Sequence, residues 1–281
     1  MSLGTEPWVW SFDPLQLVPV LLAALAYASR SRALARAGRP VPFVRRGAFY
    51  TGLGLLLLAF VSPIDWIGEE RLFSVHMAQH LLLGDLGPLL VVLGLTGPLL
   101  RPLLALRSVG RLRVLAHPLV ALPLWVVNLV VWHLPVLYDG ALRHDAVHAL
   151  QHVCFFTVGA LMWTALVEPL PGPAWFGTAG KLAYVVAVSA TGIALGNVFV
   201  WAGHPFYGPY VHAPRLWAIS ALSDQVAGGA VMLVEGSLVT LSVLAWLGLR
   251  WLRESEQRQR LVEDGMAPEA AARAVRYGRP S

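Results

Sequence analysis

The stretch that decides the fold runs from Leu72 to Leu100 and reads LFSVHMAQHLLLGDLGPLLVVLGLTGPLL. It is longer than the roughly 20 mainly apolar residues that a helix needs to cross the hydrocarbon core of a bilayer. The apolar run nevertheless contains His76, His80 and Asp85. Polar side chains inside a membrane are costly, so these three indicate a helix that faces a protein interior or cavity.

Six other stretches have the same apolar character. The chain has 281 residues, of which 57% are hydrophobic and only 13% charged, a balance that a soluble domain of this length would not tolerate. We therefore predict an all-α, polytopic membrane protein, built as a bundle of seven transmembrane helices. The predicted spans are Leu15–Ser29, Ala48–Ile64, Leu72–Leu100, His117–His133, His144–Val167, Leu182–Trp201 and Leu222–Leu249.

Basic residues predict the orientation of this bundle. Of the 21 Lys and Arg, all but Arg71, Arg143 and Arg215 fall in the odd-numbered loops or in the polar C-terminal segment. Because basic loops stay on the cytoplasmic side, the N-terminus is predicted outside and the C-terminus inside. The net charge of +5 then reflects topology and does not indicate a nucleic-acid partner.

The chain divides into two parts by polarity. Residues 1–249 form the predicted transmembrane domain, and residues 250–281 form a polar cytoplasmic tail. Within the tail, Pro268 to Tyr277 has a proline at a first-turn position followed by alanines and arginines, which predicts a short surface helix.

The pattern H-x-x-Q-H occurs twice, at His76–His80 and at His148–His152. Residues four apart on a helix share one face, and the two helices are predicted to run parallel, with both patterns in the outer half of the membrane. Imidazole nitrogens are good ligands for copper, zinc and iron. The sequence therefore predicts that these four histidines converge on one metal ion, with Gln79 and Gln151 as hydrogen-bond partners that orient the rings.

Two further residues are candidates for this metal site. His133 ends the fourth predicted span on the outer side, and Asp224 begins the seventh on the same side. Each is expected either to ligate the ion or to support its ligands. An acid at a helix N-terminus is also favoured by the helix dipole, so Asp224 has an equally good structural explanation.

Several functions are excluded or weakened by residues that the sequence lacks. The only lysine, Lys181, begins the sixth span, which excludes a retinal Schiff base in the seventh. The pattern H-E-x-x-H, a P-loop and a nucleophile elbow are absent. We therefore predict that the protein is not an enzyme.

The motifs also resemble a known family. Their order is similar to that of the CtaG family of cytochrome c oxidase assembly factors, the type associated with caa-type oxidases. The resemblance is carried by His76 to Leu83, Trp132 to Pro135 with Tyr138, His148 to His152, and Ser223 to Gln225 with Gly228 and Gly229. Membership implies a multi-pass protein of the bacterial plasma membrane. It also implies a role in supplying copper to the catalytic subunit of the oxidase, with copper received from a donor outside the cytoplasm.

Three functional hypotheses follow from the sequence. The first is a non-enzymatic assembly factor that binds copper through His76, His80, His148 and His152. The second is a membrane cytochrome whose paired histidines are axial haem ligands. The third is a copper transporter, with Asp85 and Glu235 along its path.

Overall fold

The computed structural model describes residues 9–170 and 172–277, and this part of the chain is helical without any strand. The helices in chain order are α1 (Pro14–Arg36), α2 (Phe43–Val61), α3 (Pro63–Glu70), α4 (Phe73–Leu81), α5 (Gly87–Gly94), α6 (Gly97–Leu104), α7 (Arg107–Leu112), α8 (Pro118–Trp132), α9 (Pro135–Arg143), α10 (Asp145–Val167), α11 (Thr178–Trp201), α12 (Gly208–His212), α13 (Ala221–Glu263) and α14 (Pro268–Tyr277). A π-helical turn, Leu82–Leu86, joins α4 to α5, and a 3₁₀ turn, Arg113–Ala116, precedes α8.

Six helical segments of the described residues are long and apolar enough to cross a membrane. They are α1, α2, the continuous segment Phe73–Gly94, α10, α11 and α13. A seventh span results if Gly110–Ala116 and α8 count as one segment, which is bent by 68°. The all-helical architecture is thus confirmed, with six or seven candidate membrane spans.

Prolines set many of the helix starts, because proline lacks the backbone N–H that a first turn leaves unbonded. Pro14, Pro63, Pro118 and Pro135 each occupy the first helical position. A side-chain cap also stabilises the start of α1, where Asp13 Oδ1 accepts a hydrogen bond of 2.8 Å from the Leu15 N–H. The second predicted span therefore ends at Val61, and α3 begins separately at Pro63.

The third predicted span differs from the structure at one end. The helix stops at Gly94, and Leu95 and Thr96 are extended before α6 starts at Gly97. Pro98, in the first turn of α6, explains the break, because it has no N–H to bond the Gly94 carbonyl and its ring would clash with that carbonyl in a continuous helix.

The seventh span and the tail are continuous. Helix α13 runs without interruption through residues 249 and 250, where the sequence turns polar. Helix α14 covers the residues for which a surface helix was predicted. Residues 278–281 of the tail lie outside the described part of the chain.

Helix α10 crosses the π-helical turn that follows α4. A Cβ atom at Gly159 of α10 would collide with the backbone carbonyl of Gly84 in the π-helical turn, so only a glycine permits this approach. The short helices α3, α9 and α12 lie at the N-terminal ends of α4 and α10. They supply the side chains that contact the histidines there.

Candidate metal centre

Helices α4 and α10 bring the two H-x-x-Q-H patterns together. His76, His80, His148 and His152 are all buried, and each offers one nitrogen such that the four nitrogens lie within 4.8 Å of one another. We call these residues the four-histidine group. The predicted convergence of the two patterns is therefore present in the fold, and no other set of three or more His, Cys, Asp or Glu side chains among the described residues meets the same criterion.

One contact inside the group joins Nε2 of His76 to Nε2 of His148, at 3.3 Å. Two nitrogens bound to one tetrahedral ion, with metal–nitrogen distances of about 2.0–2.1 Å, would lie about 3.3 Å apart. The spacing of this pair thus matches tetrahedral coordination. The widest separation in the group, 4.8 Å, requires some ring movement before all four nitrogens could bind together.

Glu69 of α3 fixes the orientation of His148. Its Oε1 atom lies 2.8 Å from Nδ1 of His148, and an ionised carboxylate can only accept a hydrogen bond. Nδ1 must therefore carry the proton, which leaves Nε2 of a neutral His148 with a free lone pair. A carboxylate behind a ligating imidazole is a common support in metal sites, because it sets the tautomer and raises ligand basicity.

Two tyrosines fix His76 in the same way. The Tyr210 hydroxyl donates to the backbone carbonyl of Gly68 at 2.7 Å, which uses its only proton. Its 2.7 Å contact with Nδ1 of His76 therefore has the imidazole N–H as donor, and Tyr138 approaches the same nitrogen at 2.8 Å. Burial raises the pKa of both tyrosine hydroxyls well above the ordinary value, so both stay neutral.

The two assignments together have a chemical consequence. With both Nδ1 atoms acting as donors, both Nε2 atoms present lone pairs, and these lone pairs face each other across 3.3 Å. Two such acceptors repel one another unless a cation or a shared proton lies between them. The arrangement therefore favours a bound cation.

The remaining two histidines have nitrogens without any hydrogen-bond partner in the protein. Both ring nitrogens of His80 and Nε2 of His152 are buried and make no hydrogen bond within the protein. Buried polar atoms in proteins are nearly always hydrogen-bonded or bound to an ion or water. The donor set thus fits a metal ion: four nitrogens, two of them oriented by second residues and the others unpaired.

His133 lies beside the four-histidine group but is not part of it. Its Nδ1 contacts the Leu129 carbonyl at 2.7 Å, and Nε2 has no partner in the protein. The ring centres of His133 and His80 are 6.4 Å apart. His144, four residues before His148 at the N-cap of α10, is exposed.

Asp224 was a candidate for the metal site, but its carboxylate contacts the first residues of α4. Its two oxygens accept hydrogen bonds from the backbone N–H groups of Phe73 and Ser74, at 2.6 and 3.0 Å, and from the Ser74 hydroxyl at 2.6 Å. The carboxylate therefore caps the N-terminus of α4. It supports the helix that carries His76 and His80, and it is not among the clustered ligand atoms.

The glutamines do not orient the histidines as expected. Gln79 donates to Asp65 Oδ1 at 2.6 Å and to the Ala59 carbonyl at 3.1 Å. Gln151 has no partner in the protein for either polar atom. The supporting residues are instead Glu69, Tyr138 and Tyr210, which sequence reasoning did not select.

Comparisons with known proteins identify a family. Residues 25–254 match the model of the cytochrome c oxidase caa3 assembly factor family. An uncharacterized protein of Mycobacterium bovis and one of Mycobacterium tuberculosis are each 30% identical over 271 residues, and one of Mycobacterium leprae is 28% identical over the same length.

Each of these alignments covers 89% of this chain but only 40% of the relative, so the chain spans less than half the length of the curated relatives it matches. No solved structure matches the chain. The family match covers most of the residues, including the whole four-histidine group, and the chain belongs to the family of cytochrome c oxidase caa3 assembly factors, Caa3_CtaG.

Proposed function

We propose that the protein is a membrane assembly factor that holds a copper ion in the four-histidine group and supplies it to the copper centre of the cytochrome c oxidase catalytic subunit. The facing Nε2 atoms of His76 and His148 carry this proposal. Their 3.3 Å separation and their tautomers suit a cation held between them.

The choice of copper rests on two arguments. An all-imidazole site accepts copper, zinc or iron, so the ligands alone leave the metal open. Family membership concerns the assembly of cytochrome c oxidase, whose catalytic subunit contains buried copper. A role in that assembly favours copper over the other two metals.

The orientation of the protein is part of the proposal. The distribution of basic residues favours an external N-terminus and a cytoplasmic C-terminus. The N-terminal ends of α4 and α10 would then lie on the outer side of the bacterial plasma membrane. A copper donor outside the cytoplasm could reach the four-histidine group from there.

Holding and transferring an ion requires no catalysis by the protein. The ion would leave by exchange of imidazole ligands for those of the receiving subunit, so we propose a non-enzymatic role. Glu69 would stabilise the bound cation by its charge and keep His148 in the ligating tautomer.

A haem protein is less well supported by the same geometry. Two axial imidazoles must lie on opposite sides of a broad macrocycle. The four nitrogens of the group lie within 4.8 Å of one another, and no macrocycle fits between rings so close together. A visible spectrum of the purified protein without a Soret band would agree with this argument.

The proposal can be tested in cells that lack the chromosomal copy of this protein. Such cells would receive the wild type, the double variant His148→Ala/His152→Ala, or His144→Ala as a control from the exposed end of the same helix. We expect the double variant to yield oxidase with normal haem but several-fold less copper, while the control matches the wild type. Fully copper-loaded oxidase in cells with the double variant would refute the proposal.

A transporter would give a different result in a second assay. Sealed vesicles that contain the purified protein would accumulate copper if it moves the ion across the bilayer. An assembly factor that only hands over copper at the outer face gives no such uptake.

A further inference from the structure

An internal cavity of about 80 Å³ lies next to the four-histidine group, within the membrane-spanning part of the molecule. His80 belongs to both, because it contributes a nitrogen to the group and also lines the cavity. Further inside, α4, α8, α10, α11, α13 and the π-helical turn form the walls. We call this cavity the inner chamber.

Polar atoms without partners line the inner chamber. His80 and His133 are 5% and 7% exposed, and three of their four ring nitrogens have no hydrogen-bond partner in the protein. The indole N–H of Trp125, a residue that is 7% exposed, also has none. Buried groups of this kind require a ligand or water, so the chamber is built to hold something polar or charged.

The methionines identify the class of ligand. Met77, Met162 and Met232 all line the inner chamber, whereas the other two of the five methionines, Met1 and Met266, lie near the ends of the chain. Thioether sulfur is a soft ligand that selects monovalent copper over zinc and other hard divalent ions. Methionine and histidine together therefore favour Cu(I).

Two acidic side chains, Asp85 and Glu235, also line the inner chamber. Asp85 Oδ1 accepts a hydrogen bond of 2.8 Å from the Trp163 indole. Either carboxyl group, when ionised, brings a negative charge that a bound cation would balance.

We propose that the inner chamber is a second binding site, for a soft monovalent cation such as Cu(I), with His133, Met77 and Met232 as ligands. His80 completes one site at a time, because a neutral imidazole has a single nitrogen lone pair. Two imidazoles that bind one ion at about 2 Å have ring centres about 5 Å apart at the tetrahedral angle and about 6 Å apart on opposite sides of the ion. The ring centres of His80 and His133 are 6.4 Å apart, so the two rings can bind one ion from nearly opposite sides, with the sulfur ligands beside them. The proposal rests on the proposed function, since His80 would pass the ion between the two sites.

Silver(I) tests this inference, because it mimics Cu(I) and does not change oxidation state. The full chain would be purified in detergent and its bound Ag(I) measured after dialysis. The variants are Met77→Leu/Met232→Leu, which nearly conserves side-chain volume, Met266→Leu as the control outside the chamber, and His148→Ala, which removes a ligand from the four-histidine group only.

We expect about two ions per chain in the wild type and in Met266→Leu. The methionine double variant should bind about one, and His148→Ala should also bind about one. A wild type that binds one ion, lost in His148→Ala and kept in the methionine variant, would overturn the second site and leave the proposed function standing. A wild type that binds no Ag(I) would overturn the second site, while the proposed function would still be tested separately by the copper bound per chain.

Discussion

At the scale of single residues, Glu69 is the side chain on which the account depends most. It accepts from Nδ1 of His148 and brings a negative charge to the four-histidine group. We expect Glu69→Ala to weaken copper binding by about 10- to 100-fold, the usual cost of losing such a support. Glu69→Gln should fall between the alanine variant and the wild type, because its amide oxygen still accepts the hydrogen bond but its charge is gone.

A competition titration against a chromogenic copper chelator measures these affinities. Glu70→Gln is the matched control, since Glu70 is the exposed neighbour on the same helix. Equal affinity in the wild type and in Glu69→Ala would show that the carboxylate does not support the site.

The raised pKa of Asp65 leads us to expect that the stability of the protein depends on pH. Burial, followed by the nearby charge of Glu69, raises the pKa of Asp65 from about 3.8 to about 7. A carboxyl whose pKa is raised by folding makes the protein less stable as the pH rises from about 3.8 to about 7, because over that range the folded state keeps a proton that the unfolded state has released. Asp65→Asn keeps an oxygen that can accept from Gln79, and it removes the titration.

We expect the melting temperature of Asp65→Asn, relative to that of the wild type, to be higher at pH 8 than at pH 5, because the cost of ionising Asp65 is complete only above about pH 7. Thermal unfolding in detergent measures the difference, and the exposed Asp145→Asn serves as control. A difference in melting temperature that is the same at both pH values would contradict this assignment.

The four histidines could be predicted from the sequence at this scale, because the spacing of four residues is a local property of a helix. The residues that orient these histidines could not be predicted from the sequence. Glu69 lies 79 residues before His148 in the sequence, and Tyr210 lies 134 residues after His76. Only the packing of α3, α9 and α12 over the histidines brings these side chains into contact.

At the scale of elements, the crossing of α10 with the π-helical turn holds the two histidine pairs at their spacing. Gly159 lies against the backbone of Gly84, and there is no space for a side chain. We expect Gly159→Ala to lower the free energy of unfolding by about 1–3 kcal/mol, the usual cost of overpacking. Copper binding should weaken as well, because the helices must separate.

Gly54→Ala in α2 is the matched control, since nothing lies within 4 Å of the added atom. Alanine is also the better helix former there, so this variant should be neutral or slightly stabilising. Thermal or denaturant unfolding in detergent compares the two. Equal stability of Gly159→Ala and the wild type would mean that the crossing is looser than described.

Most helices were predictable because long apolar runs and proline positions are local signals. The π-helical turn at Leu82–Leu86 was not, since it interrupts an apolar run without any marker specific to it. The break at Leu95–Thr96 has a signal in Pro98 that the length of the apolar run concealed.

At the scale of the whole molecule, the orientation in the membrane is a testable consequence of the basic residues. Val211 on α12 should face the outside, and Gln257 on α13 should face the cytoplasm. Each would be changed to cysteine in a Cys154→Ser background, which removes the single native cysteine.

A membrane-impermeant maleimide should label the Val211→Cys protein in intact cells. It should label the Gln257→Cys protein only after the cells are permeabilised. The opposite pattern would invert the topology and move the four-histidine group to the cytoplasmic side.

The sequence thus predicted the membrane class, the family and the pairing of the histidines. The relative placement of α4 and α10 depends on contacts between residues that are far apart in the chain, and it became visible only in the folded structure.

Copper bound per chain tests the central claim most directly. The purified wild type, His76→Ala/His148→Ala and the control His144→Ala would be loaded with copper, dialysed and analysed for metal and protein. We predict that the double variant binds about one ion fewer than the wild type, while the control binds as many as the wild type. Equal copper in all three proteins would contradict the claim that these histidines hold a metal ion.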